Sequence, residues 1–179
     1  MFESDDQLIL NEYLAGKIRE KNFEDESKLW DNYKTDYKPL VTFAFKNKIP
    51  FIATNIPRRY ASLVNKSGFE GLDSLTSEAK SFLPPLPIAY DPELKGYKDM
   101  IANMGGASSH VTPNIAKAQA SKDATMAFRI LLNWSPGKTF IHYHGTYHSN
   151  NFEGIYWYLK KSNPDLKILT IASVEQETL

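Results

Sequence analysis

Apolar residues along the chain recur mainly at helical spacing. Ser4 to Gln7 has the pattern of a capping box, and Leu10, Tyr13 and Leu14 follow at helical spacing before Gly16. The chain is therefore expected to open on a helix. Comparable patterns, often bounded by Pro or Gly, predict further helices over residues 22–30, 39–47, 56–67, 94–104, 113–131 and 152–161.

Three short apolar runs predict buried strands over residues 51–54, 139–143 and 166–172. A helix joins the last two runs, so we expect a helix-rich α/β fold, with a parallel or mostly parallel sheet flanked by helices on both faces. Three strands make a small sheet, which suggests that further strands are not legible or that an N-terminal strand unit is missing. Residues 81–92 lie between the first and second predicted strands. They carry four prolines, which predict an ordered loop or lid.

Composition narrows the class of protein. A chain of 179 residues with 42% apolar content favours a single domain over residues 1–179. Basic and acidic residues balance at 21 each, so no net charge attracts nucleic acid or an anionic membrane. Cysteine is absent, which excludes disulfides and thiolate metal sites. Signal-peptide and transmembrane patterns are not found either, so the sequence as it stands predicts a soluble, unprocessed chain.

Two arginines begin the helix that follows the first predicted strand. Arg58 and Arg59 lie near the positive end of the helix dipole, where an anion between them would be stabilising. A guanidinium group suits a carboxylate or a phosphate, although two solvated arginines near a turn explain the pattern equally well.

A second candidate site lies on the predicted helix 113–131. Gln119, Asp123 and Met126 lie along one side of it and could face a pocket, with Asp123 orienting a ligand or a histidine. The alternative is structural, with Asp123 bonding a neighbouring loop.

Three of the four histidines lie between residues 142 and 148. In a strand, His142 and His144 would point to the same side, whereas His148 would join His144 only if the loop folded back. One hypothesis is a metal-dependent hydrolase using His144, His148 and Asp123 or Glu153 as ligand or base. Against it, the strong zinc spacing H-E-x-x-H is absent, as are nucleophile-elbow, Walker and dinucleotide motifs.

Several stretches spread over nearly the whole chain form a specific combination. They are Glu12-Tyr13-Leu14-Ala15-Gly16, Trp30 with Tyr33 and Asp36-Tyr37, Asn55-Ile56-Pro57-Arg58-Arg59-Tyr60, Ala118-Gln119 with Asp123-Ala124-Thr125-Met126-Ala127, and Gly145-Thr146-Tyr147-His148 with Gly154-Ile155. Together they resemble the ChaN-like haem-binding uptake proteins of the Tiki/TraB-related superfamily.

The resemblance implies an α/β fold and haem binding in iron acquisition, often in an outer-membrane lipoprotein. It places the protein at the outer membrane or in the periplasm, with membrane contact only through a lipid anchor that this chain lacks. It also implies an N-terminal strand with a Gly-Glu-x-x-His-like motif. Since that strand is absent, the chain is expected to be the C-terminal two-thirds of a larger domain, and a binding protein more than an enzyme.

A tyrosinate is a recognised ligand of ferric haem, and the resemblance implies such a ligand here. Tyr60 is our candidate for the iron, with Arg58 and Arg59 near the propionates, while Tyr33, Tyr37 and Tyr147 remain alternatives. The remaining residues expected to contact the cofactor are Gln119, Asp123, Met126, Tyr147 and His148. A homodimer that pairs two haems is also expected, with His142 and His144 serving local packing.

Overall fold

The computed structural model describes residues 1–102, 113–174 and 176. Within these ranges the chain forms eight α-helices, and 3-10 turns cover Ser4–Asp6, Phe69–Ser74, Thr146–His148 and Asn150–Phe152. A π-helical turn, Tyr33–Tyr37, leads directly into the third helix. The helices are α1 (Gln7–Leu14), α2 (Glu20–Glu26), α3 (Lys38–Asn47), α4 (Arg58–Ser67), α5 (Ser77–Lys80), α6 (Lys95–Ala102), α7 (Ile115–Asn133) and α8 (Ile155–Ser162).

The predicted helices are found with shifted ends. The first helix begins at Gln7 because the capping-box residues form a 3-10 turn, and the Ser4 side chain makes no cap hydrogen bond. α4 begins directly after Pro57 and ends at Gly68, whose φ of +71° suits glycine better than any other residue. The end of the helix predicted to reach residue 104 lies outside the described residues.

The predicted α/β class, with a parallel sheet between helical layers, is wrong for the described part of the chain, which is helical and forms no sheet. Residues 51–54, 139–143 and 166–172 are irregular instead of strands. A single parallel bridge joins Glu3 to Asn55 among the described residues. In that bridge the Asn55 N–H donates to the Phe2 carbonyl at 2.9 Å, and the Ser4 N–H donates to the Asn55 carbonyl at 2.8 Å.

Side-chain hydrogen bonds take the place of a strand ladder. The Gln7 amide donates to the Phe51 carbonyl at 3.0 Å and accepts from the Ala53 N–H at 2.7 Å. The apolar runs are also only partly covered, because Ala53 is buried while Ile141 and Ile171 are 68% and 86% exposed. A parallel strand needs neighbouring strands and cover on both faces, and an apolar run alone supplies neither.

The core divides into two main clusters. One cluster is aromatic and joins the N-terminal segment to α1, α2 and the π-helical turn, with Phe2 against Phe23, Tyr33 and Phe51. The other surrounds α7, which packs on α4, α6 and α8. Small side chains allow this close approach, since five of the buried residues of α7 are Ala116, Ala118, Ala120, Ala124 and Ala127.

Candidate functional site

A buried polar network is centred on Asp123 in the middle of α7. The Asp123 side chain is fully buried, and it accepts hydrogen bonds from His148 Nδ1 at 2.5 Å and from the Tyr97 hydroxyl at 2.8 Å. These partners come from the 3-10 turn at residues 146–148 and from α6, so one carboxylate joins three elements. Burial raises the pKa of Asp123 and also that of Tyr97.

Gln119 lies one helical turn before Asp123 and contacts the same histidine. Its Nε2 is 3.0 Å from His148 Nδ1. That ring nitrogen can donate its proton to Asp123 or accept one from Gln119, but it cannot do both at once. The network therefore couples the tautomer of His148 to the protonation of Asp123.

The loop between His144 and His148 folds back, which brings the two rings close to each other. The ring centroids of His144 and His148 lie 6.3 Å apart. Gly154, at the start of α8, makes room for the loop: its φ is +56°, and a Cβ there would lie 2.4 Å from the His148 carbonyl oxygen. Only glycine fits this combination of backbone angle and close contact.

His142 and His144 contact each other directly. Their Nδ1 atoms are 2.9 Å apart, and His142 Nε2 is 2.7 Å from the Thr54 hydroxyl. Burial lowers the pKa of His142 to about 3 and also lowers that of His144, and positive charge on neighbouring histidines acts in the same direction. Both rings are therefore neutral near pH 7.

The arrangement does not favour the hydrolase hypothesis. In the described ranges, no three histidine or carboxylate side chains lie where they could hold a metal ion together. Glu153, one of the two carboxylates of that hypothesis, instead accepts hydrogen bonds from the Lys95 and Gly96 backbone N–H groups at 2.9 and 2.7 Å. This carboxylate caps the start of α6.

Arg58 and Arg59 already have anionic partners within the chain. Arg58 forms an ion pair with Glu3, whose second oxygen accepts from the Arg58 backbone N–H at 2.9 Å. Arg59 forms an ion pair with Asp5. Both arginine side chains stay about half exposed. The anion predicted at this helix start is thus supplied, at least in part, by the N-terminal segment.

Tyr60 lies against Arg59. The Tyr60 hydroxyl accepts a hydrogen bond from Arg59 Nη2 at 3.2 Å, and the guanidinium carbon lies 4.4 Å from the ring centroid. Tyr60 is 9% exposed, whereas Tyr147 is 68% exposed. Tyr33 and Tyr37 are the two remaining candidate iron ligands. Burial raises the pKa of each, which disfavours the phenolate form.

The site residues predicted from sequence fall into two groups. Arg58, Arg59 and Tyr60 lie together at the start of α4, and the second group is the buried network of Gln119, Asp123 and His148. Met126 and Tyr60 belong to the same core cluster, and Met126 is fully buried. No described hydrogen bond joins the two groups.

An apolar groove of about 250 Å³ is lined by other residues, and no residue of these two groups is among them. Sequence reasoning missed it, and it also missed the roles of Tyr97 and Thr54. A tyrosine or a threonine on an apolar stretch has the pattern of a core residue, so only the fold shows its partner. The groove is lined by Met1, Phe2, Tyr37, Leu40, Phe43, Ala44, Ile49, Pro50, Phe51, Ile52, Thr54, Thr139, Phe140, Ile141, His142 and Tyr143.

Comparison with known proteins gives the class first: the chain matches the model for haem-binding uptake proteins of the Tiki superfamily, over residues 1–159. The family is ChaN, and the chain belongs to it. This match confirms the resemblance found from the sequence motifs. Searches among curated proteins and among solved structures each gave no match. Of the helices in the described ranges, none has the length and apolar character needed to cross a membrane.

Proposed function

We propose that this chain binds ferric haem, in an iron or haem acquisition system, with the Tyr60 phenolate as the iron ligand. Membership of the haem-binding uptake family supports the choice of cofactor. The observation that carries the choice of ligand is the contact between Arg59 and the Tyr60 hydroxyl.

A guanidinium that donates a hydrogen bond to the Tyr60 oxygen fixes where that oxygen lies. Ferric haem would supply a centre that prefers an anionic oxygen ligand. The ion pair with Asp5 holds the guanidinium of Arg59 in place beside Tyr60. Arg59 therefore acts as a positioning residue that holds the Tyr60 hydroxyl by a hydrogen bond.

The arginines have donors left for the propionates. Arg58 uses its Nε for Glu3 and its Nη2 for the Lys28 carbonyl, so Nη1 is not engaged in these bonds. Arg59 uses Nη1 for Asp5 and Nη2 for Tyr60, so its Nε is likewise not engaged in these bonds. Because both side chains are about half exposed, each can pair with a carboxylate from solvent without leaving its partner.

The buried residues of the second group would stabilise the haem site and would not contact haem. Asp123 and Met126 are fully buried, which favours a supporting role over direct contact with haem. Asp123 holds His148 by a hydrogen bond, Gln119 contacts the same ring nitrogen, and His148 belongs to the turn that presents the exposed ring of Tyr147. We propose that Tyr147, next to His148, contacts the edge of the macrocycle.

The test is a titration of the protein with ferric haem, following the Soret and charge-transfer bands. The wild type should saturate with a tyrosinate-type spectrum, and Tyr60→Phe should lose that spectrum and at least tenfold in affinity. Tyr147→Phe is the matched control, which keeps the spectrum because only the edge contact changes. An unchanged spectrum in Tyr60→Phe would rule out Tyr60 as the ligand, and non-saturating partition of haem would count against haem binding.

A homodimer and a location at the outer membrane or in the periplasm are part of the same proposal, on the basis of family membership. Size-exclusion chromatography on the titrated samples should show a shift to twice the mass on haem binding. Fractionation of cells that express the native gene tests the location, and recovery in the cytosolic fraction would contradict it.

A further inference from the structure

The His142–His144 contact permits only one proton between the two rings. With Nδ1 atoms 2.9 Å apart, one nitrogen must donate and the other must accept. The second nitrogen of His142 is bonded to the Thr54 hydroxyl. If both rings became protonated, two N–H groups would face each other and the bond between the histidines would be lost.

The groups that face this pair do not stabilise added positive charge. His148 lies 6.3 Å from His144, and the α-amino group of Met1 acts on His142 with the same sign. No carboxylate is among the described groups that act on His142 or His144, and Asp123 is engaged by His148 and Tyr97. Burial adds to this effect, since it lowers the pKa of His142 to about 3.

The same pair holds one wall of the apolar groove. Residues 139–143 line the groove together with Thr54 and its neighbours in residues 49–52. Among the described residues, no backbone–backbone hydrogen bond fastens residues 139–144 to another segment. The bond between His142 and Thr54 is therefore a polar link between the two walls.

We propose that the His142–His144 pair is an acid-sensitive latch, which holds residues 139–144 against Thr54 at neutral pH and releases this wall of the groove on protonation. The latch does not rest on the proposed haem function, and its test uses no haem.

The direction of the pH effect follows from the number of protons that the closed and the released forms bind. In the released segment the imidazoles regain an ordinary pKa of about 6.5, whereas in the closed segment the pKa is lower. Below about pH 6.5 the released form therefore binds more protons, and for one proton its ratio to the closed form rises about tenfold for each pH unit. Acidification from about pH 6.5 to 4.5 should favour release about fiftyfold for one proton, because the released imidazole is already half protonated at about pH 6.5.

The first test follows 8-anilinonaphthalene-1-sulfonate, a dye that fluoresces on apolar surfaces, between about pH 7.5 and 4.5, together with helical circular dichroism. The wild type should gain dye fluorescence on acidification while the helical signal is kept. The double variant His142→Asn, His144→Asn has no titrating group at these two positions and should lose this transition, although the Met1 α-amino group, with a pKa of about 6, still titrates beside the groove. An unchanged transition in the double variant, or loss of helix together with dye uptake in the wild type, would overturn the latch.

Thr54→Val gives a matched control, because it removes the link without removing a titrating group. It should bind the dye already at about pH 7.5, and wild-type behaviour in this variant would contradict the latch. If the double variant fails to fold, NMR titration of the histidine ring protons of the wild type tests the latch instead. At least one of His142 and His144 should titrate together with the dye transition, and ordinary midpoints near pH 6.5 for both rings without dye uptake would overturn the proposal.

Discussion

Asp123 is the residue on which most of the buried polar network depends. It accepts from His148 and from Tyr97, and it has no exposure to solvent. Asp123→Ala removes the acceptor that both donors share, so we expect a loss of about 1–3 kcal/mol in the free energy of unfolding, measured by urea denaturation. Asp123→Asn keeps an acceptor for Tyr97 and should lose clearly less. Equal losses in the two variants would show that the hydrogen bonds to Asp123 do not stabilise the fold.

At the scale of single residues, the sequence predicts which side chains make polar contacts better than it predicts the partners in those contacts. Asp123 was expected to orient a histidine or bond a loop, and it does both through His148. The sequence predicts an anionic ligand at Arg58 and Arg59, but Glu3 and Asp5 supply carboxylates there. These acidic residues lie more than fifty positions earlier, and no local pattern connects them to α4.

At the scale of elements, Gly154 determines how the turn holding His148 meets α8. An added Cβ would approach the His148 carbonyl at 2.4 Å, and the φ of +56° is unfavourable for other residues. Gly154→Ala should therefore lose more than about 2 kcal/mol in the free energy of unfolding, measured by thermal or urea denaturation.

Gly145→Ala is the matched control for that substitution. Gly145 has an ordinary φ of −72°, and a Cβ there would meet nothing within 4 Å. Its unfolding free energy should stay within about 0.5 kcal/mol of the wild type. A comparable loss at both glycines would mean that general loop flexibility, not the close contact at Gly154, is responsible.

The sequence predicts the helices correctly but predicts a sheet that the described residues do not form, for a physical reason. The spacing that places apolar residues on one side of α1, α4 or α7 is a property of the helix itself, so the sequence carries it locally. A strand is defined by its neighbour. Residues 51–53 have an apolar run that fits a strand, but their backbone groups bond the side chain of Gln7, which no apolar pattern indicates.

At the scale of the whole molecule, the C-terminal segment exposes apolar side chains. Leu169, Ile171 and Val174 are 83%, 86% and 85% exposed, and they lie beyond the residues that match the family. Exposed apolar side chains that lie this close along the chain promote association. The double variant Leu169→Lys, Ile171→Lys should raise the protein concentration at which light scattering begins, with little change in the free energy of unfolding.

A control with the same added charge separates the patch from a general effect of charge on solubility. Leu8 and Leu132 are also exposed, but they lie on α1 and α7. Leu8→Lys with Leu132→Lys adds two positive charges as well, to a chain with no net charge. Equal improvement in both double variants would assign the effect to charge and not to the C-terminal patch.

The pairing of Glu3 with Arg58 has a consequence for the history of the family. Glu3 binds both the side chain and the backbone N–H of Arg58, so a change at either position leaves a charge or a donor unsatisfied. Positions 3 and 58 should therefore change together among relatives, as should positions 5 and 59. Each arginine also has a second partner, the Lys28 carbonyl for Arg58 and the Tyr60 hydroxyl for Arg59, which predicts that the two arginine positions vary less than the acidic positions 3 and 5.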